Sequence, residues 1–396
     1  MRIGTTYFLI IFLVINNSFG QKKLIKSIQL LDSKNNNERI IFSSDEKITV
    51  VFDELNNKSR SFYYEIEHFN FNWELSKIRK SEYLDGFDNI RITNYYKSYN
   101  TLQPYIHYQF QIQNKNLQLK KSGNYKVTVT DREGRHVFSR KFIIIKNSLN
   151  GTIEISKMRD INFQNSHQKL KVNIPCNNCN FNSNTFQYKL IVFRNYNLND
   201  FRLINRPTFK LSNSFVYDNI NFTGGVEYLN FDNSNILSTN IEVSKTYSRN
   251  NYITELRIDK APEIYVYEPD INGTYVIKNN NKNWFTESEY SKVIFSLKAQ
   301  NINDYPLYIV GSFNNYEKNE NSRLKKLNDK YQIELYLKQG FYNYKYLMKK
   351  NNVNYDMNSF WQTENIYTAI LYEKKPEDNY FKIKAIATNN SSNIVN

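Results

Sequence analysis

Short segments in which apolar and polar residues alternate run through most of this chain. In residues 105–112 one set of alternate positions is apolar (Ile106, Tyr108, Phe110 and Ile112), and residues 331–338 repeat the pattern. A period of two marks a strand that buries one of its faces. Turns rich in Asn, Asp, Ser and Gly separate these segments, and no stretch keeps a strong helical period. The sequence therefore predicts an all-β fold made of tandem immunoglobulin-like β-sandwich domains.

Polar turns indicate how the 396 residues divide, and at about 100–200 residues per domain the chain holds two or three domains. We predict a signal peptide at 1–20, an N-terminal β-sandwich domain at 21–148, a middle β domain at 149–268, a linker at 269–284, a C-terminal immunoglobulin-like β-sandwich at 285–385 and a disordered tail at 386–396. The Asn- and Ser-rich composition of the last stretch is typical of a frayed terminus.

The first twenty residues have the pattern of a secretory signal peptide. Arg2 is the positive n-region, residues 7–14 are the apolar core, and small residues at 17–20 precede Gln21. The apolar core is shorter than the roughly 20 residues of a spanning helix, so the alternative is a short uncleaved anchor. No Cys lies directly after the cleavage point, which argues against a lipid anchor, and no later segment is apolar enough to span a membrane.

The formal charge of +15 raises the question of a nucleic-acid or anionic membrane partner. The Lys residues are spread along the chain, whereas a nucleic-acid-binding domain carries them in a stripe or patch. We therefore expect no nucleic-acid partner.

Cys176 and Cys179 are the two cysteines, and they lie in an Asn-rich turn after a strand-like stretch. One Cys-x-x-Cys pair is too few ligands for a structural zinc site, and a thioredoxin-type pair would begin a helix. In an oxidising compartment a local disulfide between Cys176 and Cys179 is the favoured reading.

The chain shows no recognisable catalytic motif. None of its four histidines lies in a metalloprotease pattern or beside a nucleophile, and no phosphate-binding loop is present. Glu65 and Glu67 share one strand face, as a solvated rim does, and His107 on a polar strand face suits a core or interface hydrogen bond. We predict a protein that is not an enzyme, with no catalytic residue, cofactor, metal site or small-molecule substrate.

Residues 62–130 contain an ordered series of motifs: Tyr64-x-Ile66-x-His68, Phe71-Asn72-Trp73-x-x-Ser76, Glu82-Tyr83-Leu84-x-Gly86-Phe87, Ser98-x-Asn100-Thr101-x-x-x-Tyr105-x-His107-Tyr108 and Ser122-Gly123-Asn124-Tyr125. The series resembles the plug proteins of the type IX secretion system, a family long catalogued as a domain of unknown function. Later segments are also similar: Gly224-Gly225-x-Glu227, Asp270-Ile271-Asn272-Gly273-x-Tyr275 and residues 337–344. The middle segment keeps the pattern only loosely, at residues 194–197.

The resemblance implies a non-enzymatic plug that seals the periplasmic end of a large outer-membrane β-barrel translocon. It implies that barrel as the partner and a place in the periplasm, peripherally associated with the outer membrane. Tyr342, Tyr344 and Tyr346 share one face of a strand and are a candidate contact patch. Ordinary sandwich packing is the favoured alternative for these tyrosines, because aromatic residues commonly fill β surfaces.

The C-terminal segment is also similar to the immunoglobulin-like modules that bind starch and glycogen, in residues 307–316 and 340–346. Those modules stack sugars on Trp; here Tyr316 follows Asn-Asn and Trp361 is the next Trp. Two alternatives to the plug therefore stay open: an exported carbohydrate- or peptide-binding β-sandwich protein, and a cargo protein of the same secretion system. The tail lacks the Gly-punctuated sorting domain of such cargo.

Overall fold

The computed structural model describes residues 24–175, 187–280, 283–299, 305–351 and 353–393. Strands make up nearly all of the regular structure in these ranges, which confirms the predicted all-β class and its tandem sandwiches. Two one-turn helices, α1 (Lys80–Tyr83) and α2 (Trp284–Glu287), and two 3-10 turns (Ser312–Asn314 and Ser391–Asn393) are the exceptions in the described part.

The N-terminal domain is a sandwich of two main sheets. Its strands are β1 (Ile25–Asp32), β2 (Ile41–Ser43), β3 (Ile48–Glu54), β4 (Phe62–Phe69), β5 (Leu84–Gly86), β6 (Ile90–Arg91), β7 (Asn94–Lys97), β8 (Ile106–Ile112), β9 (Leu117–Leu119), β10 (Gly123–Asp131) and β11 (His136–Ile145). The sheet orders are β1-β3-β8-β7 and β2-β11-β10-β4-β6, with a small β5-β9 pair. The apolar face predicted for β8 lies in the core between these sheets, where Tyr108 stacks on Phe52 with ring centroids 4.9 Å apart.

The middle domain is assembled from two distant parts of the chain. Its strands are β12 (Leu149–Asn150), β13 (Thr152–Lys157), β14 (His167–Pro175), β15 (Gln187–Arg194), β16 (Asn197–Ile204), β17 (Phe209–Leu211) and β18 (Ser214–Thr223), followed much later by β29 (Ile366–Lys374) and β30 (Lys382–Asn390). The sheet orders are β12-β30-β29-β15-β16 and β13-β14-β18-β17. Ala385, Ala387 and Leu371 from the last two strands lie in the core of this domain.

The C-terminal domain lies between those two parts in sequence. Its strands are β19 (Leu229–Asp232), β20 (Val243–Ser248), β21 (Tyr252–Lys260), β22 (Tyr275–Ile277), β23 (Tyr290–Lys298), β24 (Leu307–Val310), β25 (Lys325–Leu327), β26 (Lys330–Lys338), β27 (Gly340–Lys350) and β28 (Val353–Asp356). One sheet has the order β20-β21-β23-β26-β25, and in the other β27 pairs with β19, β22, β24 and β28. The two sheets enclose an aromatic core.

These topologies correct three of the predicted domain limits. The range 149–268 includes β19, β20 and β21, which belong to the C-terminal sheets. The middle domain also contains β29 and β30, which lie beyond residue 365. The predicted linker 269–284 contains β22, which pairs with β27. The predicted disordered tail 386–396 contains the end of β30, paired with β29 as far as Asn390. Alternation reveals a strand but not the sheet that it joins, and this explains the errors.

The N-terminal and middle domains share an apolar interface. Ile143 on β11 packs with Phe193 on β15 and with Tyr372 on β29. The Tyr372 hydroxyl donates to the Asn124 side chain at 2.6 Å, and the rings of Phe71 and Phe381 meet edge to face with centroids 4.8 Å apart. The contact is therefore built like a domain core, with a buried hydrogen bond inside it.

The middle and C-terminal domains meet around Arg194. Its guanidinium pairs with Asp200 at 2.6 Å and lies 3.9 Å from Asp356 of β28. Gly224, in the connection between the domains, needs to be glycine, since a Cβ there would lie 1.8 Å from the Phe360 carbonyl oxygen. The Gly224-Gly225 motif found in the sequence is thus a close approach of two backbones at the domain boundary.

Candidate interaction site at the junction of the N-terminal and C-terminal domains

Half of the N-terminal motif series converges on the buried His68 of β4. The ring bonds to the Ser76 hydroxyl at 2.8 Å and to the Ser122 carbonyl at 3.3 Å. Gly123 has a φ of +149°, and a Cβ there would lie 2.3 Å from the His68 ring. Burial lowers the pKa of His68 to about 4, so the ring is neutral at neutral pH. These motif residues hold loops onto the sandwich.

The other half of the series leads to a buried charge cluster between the N-terminal and C-terminal domains. The Lys338 ammonium at the end of β26 lies 2.7 Å from one oxygen of Asp53 on β3. The same oxygen accepts the Tyr290 hydroxyl at 2.7 Å, and the other carboxylate oxygen bonds to His107 at 2.6 Å. All four side chains are buried. The core or interface hydrogen bond expected of His107 is therefore present, and it joins His107 to Asp53 of the same domain.

The electrostatics of this cluster favour a charged pair. Burial alone would raise the pKa of Asp53, but the Lys338 ammonium and the His107 hydrogen bond outweigh it and hold that pKa below its usual value. Lys338 also donates to the Phe285 carbonyl at 2.8 Å and lies 4.2 Å from the centre of the Tyr105 ring. Both charges thus have partners, as a buried ion pair requires if its desolvation is to be offset.

The loop before β8 is seated on the C-terminal domain by its own hydrogen bonds. The Tyr105 hydroxyl donates to the Ser288 carbonyl at 3.0 Å. The Leu102 backbone N–H donates to the Glu289 carboxylate at 2.8 Å, and the Tyr99 N–H donates to the Thr286 carbonyl at 3.0 Å. The motif that includes Ser98 and Tyr105 therefore shapes a loop that joins two domains.

An exposed aromatic surface covers this junction. We call Tyr96, Tyr99 and Leu102 the junction patch; its tyrosines are 42% and 73% exposed. Tyr95 points to the other face of its strand, where its ring centroid lies 5.7 Å from that of Tyr108. β7, which carries Tyr96, is the last strand of its sheet, and the Tyr96 ring meets the Phe285 ring of α2 with centroids 5.7 Å apart. Exposed tyrosines beside an open sheet edge suit protein contact, because Tyr combines apolar area with a polar tip.

Two groups of candidate binding residues that the sequence indicated do not lie in this junction. Tyr342, Tyr344 and Tyr346 are buried in the core of the C-terminal domain, so they are not an exposed contact patch. They stack with other core rings, as Tyr342 does with Phe231 at 5.1 Å, which is the ordinary packing favoured from the sequence. Tyr316 is also buried and offers no platform for a sugar.

The sequence analysis did not predict the junction patch, although the adjacent tyrosines of β7 indicate it. Tyr95 and Tyr96 are adjacent on one strand, and successive side chains of a strand point to opposite faces. One of two adjacent tyrosines on such a strand therefore faces away from the core.

Several expectations concern other parts of the chain. The signal peptide 1–20 and the Cys176–Cys179 disulfide lie outside the described residues. Within the described residues, no three His, Cys, Asp or Glu side chains gather as a metal site would require. No helix in those ranges is long and apolar enough to cross a bilayer.

The fold and the junction define a class of protein in which three β-sandwiches are held together by buried interdomain contacts. Residues 25–146 match the sequence model of the type 9 secretion system plug protein first domain. The N-terminal domain of this chain is therefore similar to the first domain of those plug proteins, and the resemblance drawn from the motif series is confirmed for residues 25–146.

Comparison with solved structures extends the fold relationship beyond that domain. The chain superposes with a TM-score of 0.87 on the crystal structure of a hypothetical protein from Parabacteroides merdae ATCC 43184, covering 93% of this chain and 97% of that chain. The superposition shows that the two proteins share a fold, although their sequences are only 24% identical. No curated protein matches this chain.

Proposed function

We propose that this protein is a non-enzymatic plug that seals the periplasmic end of the large outer-membrane β-barrel translocon of the type IX secretion system. The observation that carries the proposal is the match of residues 25–146 to the first domain of the plug proteins. The protein would then act in the periplasm, peripherally associated with the outer membrane through this barrel.

The way in which the three domains are joined supports a sealing role. A stopper has to keep its shape against a wide opening, whereas interfaces between domains of one chain are commonly polar and permit motion. Here the N-terminal domain meets the middle domain through an apolar cluster and the C-terminal domain through the Asp53–Lys338 pair. We infer that the three domains move together as one body.

The junction patch is the surface that we expect to contact the barrel. It combines two exposed tyrosines, Tyr96 and Tyr99, with an edge of β7 that pairs with no strand among the described residues. Tyr is enriched in the centres of protein interfaces, where its ring is buried and its hydroxyl finds a partner.

Capture of the partner tests the proposal. The tagged chain, isolated from membranes of the cells that make it, should recover a very large outer-membrane barrel protein. The Tyr96→Ser/Tyr99→Ser variant should recover at least about tenfold less, and Tyr355→Ser, which changes a comparably exposed tyrosine on β28, should recover as much as the unchanged chain. Recovery of no outer-membrane protein by the unchanged chain would overturn the sealing role.

Carbohydrate binding by an exported β-sandwich protein has less support, because Tyr316 of the proposed platform is buried and its hydroxyl lies 3.2 Å from the Gly273 carbonyl oxygen. Retardation of the protein in a polysaccharide gel, lost on Trp361→Ala, would revive that alternative.

A further inference from the structure

An extended segment without a strand partner follows β21. In residues 263–268 no backbone N–H or C=O bonds to another backbone group of the described chain. The same segment is anchored through alternate side chains: the Tyr265 hydroxyl donates to Glu227 at 2.8 Å, and the Tyr267 hydroxyl donates to Glu364 at 3.2 Å. Its backbone is thus held in place while its hydrogen-bonding groups remain available.

The apolar residues between these anchors lie at the surface. Ile264 is 73% exposed and Val266 is 59% exposed. Both line a cavity of about 320 Å³ whose wall also includes Leu229, Tyr346 and Phe360. This volume lies at the lower end of the range of about 300–1,000 Å³ that is usual for ligand sites. The cavity is large enough to receive side chains of a partner.

The cavity is acidic, although the whole chain has a formal charge of +15. Glu227, Glu263 and Glu268 line it, and of its two lysines Lys345 is already paired with Asp356 at 3.4 Å. The Oε2 atom of Glu227 is buried and has no hydrogen-bond partner among the described residues. A buried carboxylate oxygen in that state would gain from a cationic partner, because an unsatisfied buried polar atom is costly.

Two carboxyl groups in this part of the domain have raised pKa values because they are buried. The pKa of Glu227 is raised to about 7, chiefly by burial and to a smaller extent by the nearby Asp270. Burial likewise raises the pKa of Asp259 to about 6, although it accepts the hydroxyls of Tyr344 and Tyr346. A cation brought beside these groups would favour their ionised forms.

We propose that residues 263–268 are the docking edge for an extended strand of a protein partner, which places apolar side chains and one lysine or arginine in the cavity beside Glu227. Six residues give an edge of about 20 Å at about 3.3 Å per residue. Backbone pairing along this edge sets the register, while burial of the apolar side chains provides the affinity, since a two-stranded ladder alone is marginal in water. The site is separate from the junction patch and does not depend on the sealing role.

The unpaired backbone, the exposed apolar residues and the carboxylates together indicate which kind of ligand the cavity accepts. An unpaired backbone of this length selects an extended peptide over a compact small molecule. The exposed Ile264 and Val266 select apolar residues at alternate positions of that peptide. The carboxylates select a positive charge on the same face, and they disfavour an acidic strand.

A synthetic peptide tests the site in the full chain. We choose fluorescein-labelled Val-Thr-Val-Thr-Lys-Thr, in which both valines and the lysine share one strand face, and measure binding by fluorescence anisotropy. The peptide should bind the unchanged protein, and binding should weaken at least about tenfold for the Ile264→Ser/Val266→Ser variant and for Glu227→Gln. Ile241→Ser removes a comparably exposed apolar side chain elsewhere in the same domain and should leave binding unchanged.

Two altered peptides separate the contributions of charge and backbone. Glutamate in place of the lysine, or methylation of the backbone nitrogens, should each abolish measurable binding. The proposal is overturned if no peptide binds at about 1 mM, the affinity at which only about 4 kcal/mol of binding free energy remains. It is equally overturned if the variants bind as well as the unchanged protein, or if decylammonium binds the cavity while the peptide does not. Circular dichroism spectra of all variants should match, so that loss of folding is not mistaken for loss of binding.

Discussion

The Lys338 ammonium of the C-terminal domain lies 2.7 Å from the Asp53 carboxylate of the N-terminal domain, and both side chains are 1% exposed. These two residues are 285 positions apart in the sequence. Because a buried charge without its partner is strongly unfavourable, the pair ties the placement of one sandwich to that of the other.

Removing the carboxylate charge should weaken this junction. Asp53→Asn leaves the Lys338 ammonium buried without its counterion, and we expect a loss of about 3–5 kcal/mol in the free energy of unfolding. Glu67→Gln, which breaks the partly exposed pair with Lys126, should change it by less than about 1 kcal/mol. Urea denaturation of the three proteins measures the difference, and equal losses for both variants would contradict the role of the buried pair.

His68 should make the stability of the N-terminal domain depend on pH. Its folded pKa of about 4 lies below the value of 6.5 for the free side chain, so the stabilisation is complete above pH 6.5 and is lost as the pH falls to 4. This lowering of the pKa corresponds to about 3 kcal/mol.

The His68→Gln variant isolates this contribution. Other groups, such as Glu227 with its raised pKa, change stability in the opposite direction over the same range, but they are common to both proteins. The difference in unfolding free energy between the unchanged chain and His68→Gln should therefore shrink between pH 6.5 and 4. A constant difference over that range would show that His68 does not titrate as its burial requires.

The two sets of tyrosines should respond differently to truncation. Tyr342→Ala removes a ring stacked between Phe231 and Tyr275, each with its centroid 5.1 Å away, and should cost about 3–5 kcal/mol of stability. Tyr99→Ala removes an exposed ring and should change stability by no more than about 0.5 kcal/mol. Thermal unfolding distinguishes the two outcomes. If Tyr342→Ala left the stability unchanged, the result would contradict the burial of Tyr342 in the core.

The last strand should be essential to the middle domain. Ala387→Asp places a carboxylate in the core between β30 and the facing sheet, where it has no partner, and should prevent stable folding of that domain. Thr388→Asp changes the next residue, whose side chain is exposed, and should be tolerated. Limited proteolysis compares the two, and equal resistance would mean that these residues behave as a free tail.

The faces of individual strands were within reach of the sequence, as β8 shows, because burial of one face imposes a period of two. The assembly of the middle domain from two distant parts of the chain could not be predicted from the sequence. β29 is buried from Tyr367 to Glu373 on both faces, so it carries no alternation by which its neighbours are recognised. Its pairing with β15 joins segments that lie far apart, and a single sequence does not reveal that contact.

The junction was predictable only in part. His107 on a polar strand face indicated a hydrogen bond, but its partner Asp53 lies 54 positions away and Lys338 is more distant still. Polar residues on a strand ordinarily face water, so their burial becomes visible only when the domains are assembled. The motif series marked the correct region, whereas the tyrosine row of β27 drew attention because exposed and buried aromatic residues look alike in a sequence.

Ion conductance through the translocon barrel tests the sealing role most directly. The purified barrel, placed in a planar bilayer, should show a large open conductance that falls to the baseline when this protein is added from the periplasmic side. The Tyr96→Ser/Tyr99→Ser variant should close the channel only at a concentration at least about tenfold higher. A conductance that stays open at saturating amounts of the unchanged protein would contradict the proposal that it works as a plug.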